Sequence, residues 1–310
     1  MKPLVSVVIT NYNCGRFVAD AVETALGQSY PHVEVIVVDD GSTDDSLSVL
    51  APYRDRVRVV AQPNQGVSGA RNTGIRESRG DLVAFFDADD RWHRDKLAKQ
   101  VPLFANPAVG LVYCGVEYID ERGNSLGTNL RGLRGRVLRD IALLRETVVL
   151  AGGSTAVVRK RLFDAVGGFD PELSTAADWD MWRRIACVAE IDVAREPLMQ
   201  YRLRAGSMHR NPAVFEHDML YGFARMFADP AAREVKALRR RGYAKLYLML
   251  SGSFFEAGDA AKAMTYAVRS IVSWPPSAAY ICALPLRRVR RMLGAQPDEP
   301  RLGGSILERS

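Results

Sequence analysis

Short apolar runs, each closing on a polar cluster, recur through the first third of the chain. Residues 4–9 (Leu-Val-Ser-Val-Val-Ile) are rich in β-branched side chains and do not alternate strictly, which predicts a strand covered on both faces. Residues 33–38, 57–60 and 82–86 predict three more strands. Between them the period changes. Phe17, Val18, Ala21, Val22, Ala25 and Leu26 repeat at helical spacing, and residues 66–78 also read as a helix. Alternating strands and helices predict an α/β fold with a mostly parallel sheet and right-handed crossovers. In such sheets ligands gather beyond the carboxyl ends of the strands. Three polar loops stand at those ends, 10–13, 39–43 and 87–90, with Ser42 or Thr43 placed to cap the helix that follows.

Further along, residues 109–119 predict a strand and the Gly- and Arg-rich stretch 123–136 a loop. Residues 152–158 lead into another strand. A short helix over 161–166 is ended by Gly167-Gly168, and a helix over 178–189 places Trp179, Trp182 and Ile185 on one side. Beyond Gly206 the pattern is helical. The expected division is an α/β catalytic domain over 1–205 and a helical C-terminal extension over 206–310.

Composition narrows the classes. The chain has 310 residues, 47% hydrophobic and 25% charged, ample for a soluble core. Its net charge of +6 is concentrated in residues 206–310, where 16 Lys/Arg face 9 Asp/Glu. The front of the chain is near neutral, which argues against a broad nucleic-acid-binding face. Cys14, Cys114, Cys187 and Cys282 are scattered, with no CxxC pair, so a zinc site is disfavoured and a reducing, cytoplasmic location is expected. The N-terminus lacks the long apolar region and cleavage site of a signal peptide, and no uncharged apolar run matches a membrane-spanning helix.

The sharpest chemical feature is Asp87-Ala88-Asp89 at the end of the 82–86 strand. Carboxylates one residue apart at a strand-to-loop transition offer hard oxygen ligands suited to Mg²⁺ or Mn²⁺, ions that complete their shells with water and substrate phosphates.

The motifs then fall into a known order. Residues 5–13, with Thr10-Asn11-Tyr12-Asn13 closing the first strand, resemble the opening of family 2 glycosyltransferases, which have the GT-A fold. Val37-Val38-Asp39-Asp40-Gly41-Ser42-Thr43-Asp44, Asn64-Gln65-Gly66 with Ala70-Arg71-Asn72, Phe85-Phe86-Asp87-Ala88-Asp89-Asp90, and Gly167-Gly168-Phe169-Asp170 followed by Asp178-Trp179-Asp180-Met181-Trp182 resemble the family's later motifs. The resemblance covers roughly residues 4–205.

It implies an inverting transfer of a sugar from a nucleoside-diphosphate sugar to the hydroxyl of a glycan or lipid-linked acceptor, in the synthesis of a cell-surface polysaccharide or glycolipid. By the same resemblance Thr10, Asn11, Tyr12 and Asp40 bind the nucleoside, Arg71 reaches the nucleotide, and Asp87 touches the ribose or the metal's waters. Asp89 binds the metal, Mn²⁺ or Mg²⁺, and Asp178 is the general base. The implied donor is a UDP-sugar, although thymine presents the same hydrogen-bond pattern. Family members usually carry Glu-Asp where this chain has Ala177-Asp178, and Asp180 competes with Asp178 for the role of base. Arg204, where many relatives have His, stands either at a phosphate or in a basic surface loop.

A catalytically inactive nucleotide-sugar-binding module and, further off, a nucleotidyltransferase are the rival readings. The latter wants a glycine-rich basic loop after the first strand, where this chain has a single Gly. Arg239-Arg240-Arg241 and the basic run 286–293 read equally as a solvated face or as peripheral contact with an anionic membrane.

Overall fold

A computed structural model describes residues 2–146, 148–204, 211–279 and 281. The described residues fall into two compact units, one within residues 1–137 and 149–208 and the other within residues 138–148 and 209–310.

The first unit is built on one sheet. Strands β1 (Val5–Asn11), β2 (Val33–Asp39), β3 (Arg58–Ala61) and β4 (Leu82–Asp87) form its parallel half, in the order β3-β2-β1-β4. Val5, Val7, Val8 and Ile9 are fully buried, as the unbroken apolar pattern requires of a strand covered on both sides. Helix α1 (Gly15–Leu26) buries Phe17, Val18, Ala21, Val22 and Ala25. Helix α2 (Ser46–Leu50) follows β2, and α3 (Gly66–Glu77) packs so close to β1 that a Cβ at Gly74 would lie 2.1 Å from Val8 Cγ1.

Beyond β4 the sheet becomes mixed. Short strand β5 (Arg91–Trp92) and helix α4 (Lys96–Gln100) precede β6 (Val109–Ile119) and β7 (Ser125–Asn129). After residue 148 come β8 (Val157–Arg159), the last strand β9 (Glu190–Arg202) and the helices between them, described below. β8 lies antiparallel between β4 and β6, β9 runs parallel to β6, and β5 closes the edge antiparallel to β9.

Three expectations are corrected. The stretch 123–136 contains a strand, β7, which pairs with β6 as a hairpin; its exposed, Gly-bearing sequence hides it from a hydrophobic pattern. The third strand runs one residue later than 57–60. Neither Ser42 nor Thr43 caps α2. Its N-cap is Asp45, and the nearby anchor is Asp44, whose carboxylate accepts from the Ser46 amide and hydroxyl and from the Gly15 amide.

Helix α5 (Leu138–Ala142) belongs to the second unit; α6 (Leu162–Val166) and α7 (Ala177–Val188) belong to the first. In the second unit, α8 (Pro212–Ala228) starts at Asn211, whose Oδ1 accepts from the amides of Ala213 and Val214. A 3₁₀ segment (Pro230–Leu238) leads to α9 (Arg239–Glu256), and α10 (Ala260–Ser273) returns after Gly258, whose φ of 82° fits the left-handed turn. Phe223, Phe227, Tyr243, Tyr247, Phe254 and Tyr266 form a continuous run of ring contacts through this unit. The basic run 286–293, Ser207 and Cys282 lie outside the described residues.

Candidate active site

Strand register brings the polar loops together. Asn11 of β1 is level with Asp39 of β2, and Thr10 with Asp87 of β4, so the carboxyl ends of three neighbouring strands converge.

The first two loops brace each other. Asn11 Nδ2 donates to Asp39 Oδ1 at 2.7 Å and to Ser42 Oγ at 3.1 Å, while the Ser42 amide donates to Asp39 Oδ2. Asn13, at φ 50°, accepts the Thr43 amide on its Oδ1. Gly41 at φ 77° completes the turn, where a Cβ would lie 2.8 Å from the Asn64 amide nitrogen. Asp40 is buried and accepts from Gln62 Nε2 at 2.7 Å and from the Gln65 amide at 2.9 Å. Tyr12 is half exposed on the rim. Of the four expected nucleoside residues, Asn11 and Asp40 are thus part of the loops' internal bracing, Tyr12 presents its ring, and Thr10 Oγ1 donates to Asp87 Oδ1 at 3.0 Å.

A second cluster is centred on Arg71. α3 carries it inward, and the guanidinium is almost fully buried rather than on a surface helix face. Nη1 donates to Asp178 Oδ1 at 2.6 Å and Nη2 to Asp87 Oδ1 at 3.0 Å. Burial opposes the charge, but Asp178 and then Asp87 hold the Arg71 pKa above its ordinary value. The Phe169 ring lies 5.3 Å from the guanidinium carbon. Gly152 and Gly153 make the room: a Cβ on Gly152 would lie 2.5 Å from Asp178 Oδ2, and one on Gly153 3.0 Å from Arg71 Nη2. Asp178 stands in the first turn of α7. Asp180, its rival, is engaged with Arg183 and Arg184 of the same helix and is buried away from this cluster.

Asp89 faces a different cation. Arg204 Nη2 lies 2.8 Å from Asp89 Oδ2. Burial raises the Asp89 pKa, Arg204 lowers it and Asp87 raises it again, with a net upward shift. Asp90 is raised much further, by burial and then by Asp89 and Asp87. It accepts from Ser154 Oγ at 2.6 Å and from the Arg202 amide at 3.0 Å.

Among the described residues no group of three or more His, Cys, Asp or Glu is arranged as a metal cage. Asp89 nevertheless fits a hard cation held by one carboxylate, water and phosphate oxygens, because it is a half-buried carboxylate beside other acids and is already matched with a positive charge.

Sequence reasoning passed over Ser154, Arg202, Gly152 and Gly153. Ser154 Oγ accepts the Asp87 amide while donating to Asp90, and its carbonyl accepts Trp92 Nε1, so it fixes the acidic loop. Arg202 Nε donates to the Asp89 carbonyl. The available signs were a Gly-Gly-Ser sequence ahead of a strand and, for Arg202, its place two residues before Arg204 in a stretch that resembles a family motif.

Comparison with known proteins supplies the class. The structure resembles the mannosyltransferase PcManGT from Pyrobaculum calidifontis in complex with GDP-Man and Mn²⁺, with a TM-score of 0.62, 21% identity and coverage of 95% of this chain and 85% of that one. It also resembles S. aureus TarS 1–349, with a TM-score of 0.61, 18% identity and coverage of 87% and 91%. These likenesses define a GT-A fold. The sequence profile described as Glycosyl transferase family 2 matches residues 6–167, and the chain belongs to that family of glycosyltransferases.

An uncharacterized glycosyltransferase of Rickettsia prowazekii is 29% identical over 266 residues, 79% of this chain and 83% of that protein. A Bacillus subtilis glycosyltransferase named for teichuronic acid biosynthesis is 38% identical over 129 residues, 40% of this chain and 51% of its own length. The Escherichia coli chondroitin synthase is 31% identical over 188 residues, 59% of this chain but 26% of its own length.

Proposed function

We propose that this glycosyltransferase moves a sugar from a nucleoside-diphosphate sugar to an acceptor hydroxyl with inversion, in the synthesis of a surface polysaccharide or glycolipid. The observation that carries the reading is the buried Arg71, which ties the candidate base Asp178 to Asp87 of the DxD loop. An acceptor-side carboxylate is thereby held next to the loop where the donor's diphosphate would lie. The relatives named for teichuronic acid and chondroitin synthesis support the polysaccharide reading. Bound GDP-Man in PcManGT and UDP-GlcNAc in TarS support a nucleotide-sugar donor.

In this mechanism the nucleoside lies against Tyr12, over the loops braced by Asn11 and Asp40. Asp89 would hold Mn²⁺ or Mg²⁺, and the ion would neutralise charge on the departing diphosphate. Arg204 leaves Asp89 for a phosphate oxygen, where its charge persists at any physiological pH. Asp178 accepts the proton of the acceptor hydroxyl on Oδ2, the oxygen beside Gly152, while Arg71 fixes Oδ1. The acceptor oxygen bonds to the anomeric carbon as the bond from that carbon to the diphosphate breaks on the opposite face. Arg71 and Thr10 keep Asp87 oriented throughout.

A nucleotide-sugar-binding module without turnover is the second reading. It is favoured by Ala177, which is buried and offers no polar group where the family resemblance leads one to expect Glu. The test is release of nucleoside diphosphate from UDP-, dTDP- and GDP-sugars with Mn²⁺, Mg²⁺ or EDTA, with and without envelope glycans as acceptor. Metal-dependent turnover supports transfer. Tight binding of a donor with no turnover supports the module.

A further inference from the structure

Helix α10 is apolar on two sides. Ala263, Tyr266 and Ser270 face inward, and Ser270 Oγ donates to the Ala244 carbonyl of α9. On the outer side Met264, Val268 and Val272 stand four residues apart, 66%, 51% and 71% exposed. Such spacing places them in one stripe along the helix. Trp274, exposed at 39%, follows directly, with Pro275 and Pro276 also exposed. A helix covered on one side only is expected to carry polar residues on the other, and an aliphatic stripe ending in Trp departs from that pattern.

Basic residues predominate around the stripe, the acidic groups nearby being Asp259 at the N-cap of α10, Glu256, and Glu216 of α8, which pairs with Lys262. α9 and α10 together carry six Lys/Arg and a single Glu, and α10 itself has no acidic residue. At the Trp274 end, Arg241, Lys245, Trp274 and Pro276 line a concavity of about 120 Å³. Along α10, Arg269 is exposed beside the stripe, one position after Val268.

The sign of this rim decides what can cover the stripe. A second copy docked face to face would set basic rim against basic rim. The chain's own segment 282–310 contains Arg287, Arg288, Arg290 and Arg291 and adds further positive charge. An anionic lipid surface matches both features, accepting aliphatic and indole groups below the headgroups and cations among them.

We propose that the outer face of α10 is a lipid-docking surface, in which Met264, Val268, Val272 and Trp274 enter the headgroup boundary of an anionic bilayer and Arg241, Lys245 and Arg269 meet its phosphates. The surface does not depend on the sugar-transfer reading, and its test reads lipid binding rather than turnover.

The experiment is co-sedimentation of the full chain with vesicles of phosphatidylcholine alone or mixed with phosphatidylglycerol, at low and high salt. The variants are Val268→Glu/Val272→Glu and the conservative Val268→Leu/Val272→Leu. Both positions are exposed, so thermal unfolding is expected to match the unmodified protein. The expected result is binding to the anionic vesicles only, weakened by salt, lost by about tenfold or more in the Glu variant and kept in the Leu variant. The proposal is overturned if the unmodified protein ignores anionic vesicles. It is also overturned if the Glu variant binds them as well as the parent, which would assign binding to another segment. A concentration-dependent dimer that the Glu variant abolishes would overturn it in favour of a second copy.

Discussion

Arg71 donates to Asp178 across 107 positions of sequence, at 2.6 Å, from a guanidinium almost wholly out of water. That bond makes the direction of the candidate base a property of α3 as much as of α7. Its other arm reaches Asp87, so the two carboxylates share one cation.

Replacing Arg71 with Lys keeps the charge and loses the planar fork. The account predicts a fall in kcat of about 10²-fold, the order expected when a reacting group is misplaced by an ångström. Donor affinity, read by titration calorimetry, is expected to change only a few-fold, because both arms of Arg71 hold carboxylates. A large loss of donor affinity with little change in kcat would place Arg71 on the nucleotide instead.

Arg204 engages Oδ2 of Asp89, one of the two oxygens this candidate ligand would offer a metal, and neutralises its charge. Arg204→Gln is therefore expected to tighten Mn²⁺ binding in the absence of nucleotide, by about three- to tenfold, the counterpart of a partly exposed ion pair worth ~1 kcal/mol. Asp89→Ala is expected to abolish it. Electron paramagnetic resonance of free Mn²⁺ measures both.

Gly152 sits at φ 58°, and a side chain there would press on Asp178 Oδ2. Gly152→Ala should leave the sheet folded, with circular dichroism unchanged, while turnover drops by about 10²-fold or more.

Lys96 gives a pH signature unrelated to the site. It is fully buried on α4, its Nζ has no hydrogen-bond partner among the described residues and lies 3.9 Å from the Trp92 ring centroid, and burial pushes its pKa down to about 8. Between that value and the ordinary 10.5 the unfolded chain holds more protons than the folded one, so stability rises with pH. Cys114, beside it, acts in the opposite sense above its ordinary pKa of 9.0, because burial raises its thiol to about 11; Cys14 behaves likewise. Between pH 8 and 9 the Lys96 contribution, read as the difference between denaturant melts of the unmodified protein and Lys96→Met, should grow by about 1 kcal/mol, while Cys114 and Cys14 offset part of the gain in both proteins.

How far the sequence exposes this protein follows from where the information lies. β1, β2 and β4 are legible because their central residues are buried and form apolar runs broken only by Ser6 in β1 and Glu34 in β2 before the polar ends. The loops that follow them are legible because parallel strands put their carboxyl ends side by side. β8 is legible as a strand, but its antiparallel place between β4 and β6 is not, because pairing between distant strands leaves no local mark. β7 is hidden by its exposure, and β9 by Pro197 and by register shifts that break its periodicity. Asp87, Asp89 and Asp178 could be singled out by motif. Their cations could not be paired with them, since Arg71 and Arg204 lie 107 and 115 positions from Asp178 and Asp89. Ser154 is the extreme case: a serine in a Gly-Gly-Ser turn that fixes Asp87 and Asp90 through contacts 67 and 64 positions away.

The central claim, that Asp178 takes the acceptor's proton beside a donor held through Asp89, is tested most directly by measuring donor binding and turnover side by side in Asp178→Asn, with Asp89→Ala as the comparison. The account predicts that Asp178→Asn binds the nucleotide sugar in the presence of Mn²⁺ much as the unmodified enzyme does and loses about 10²-fold or more of its transfer rate, while Asp89→Ala loses metal-dependent binding itself. Transfer at the original rate by Asp178→Asn would contradict it.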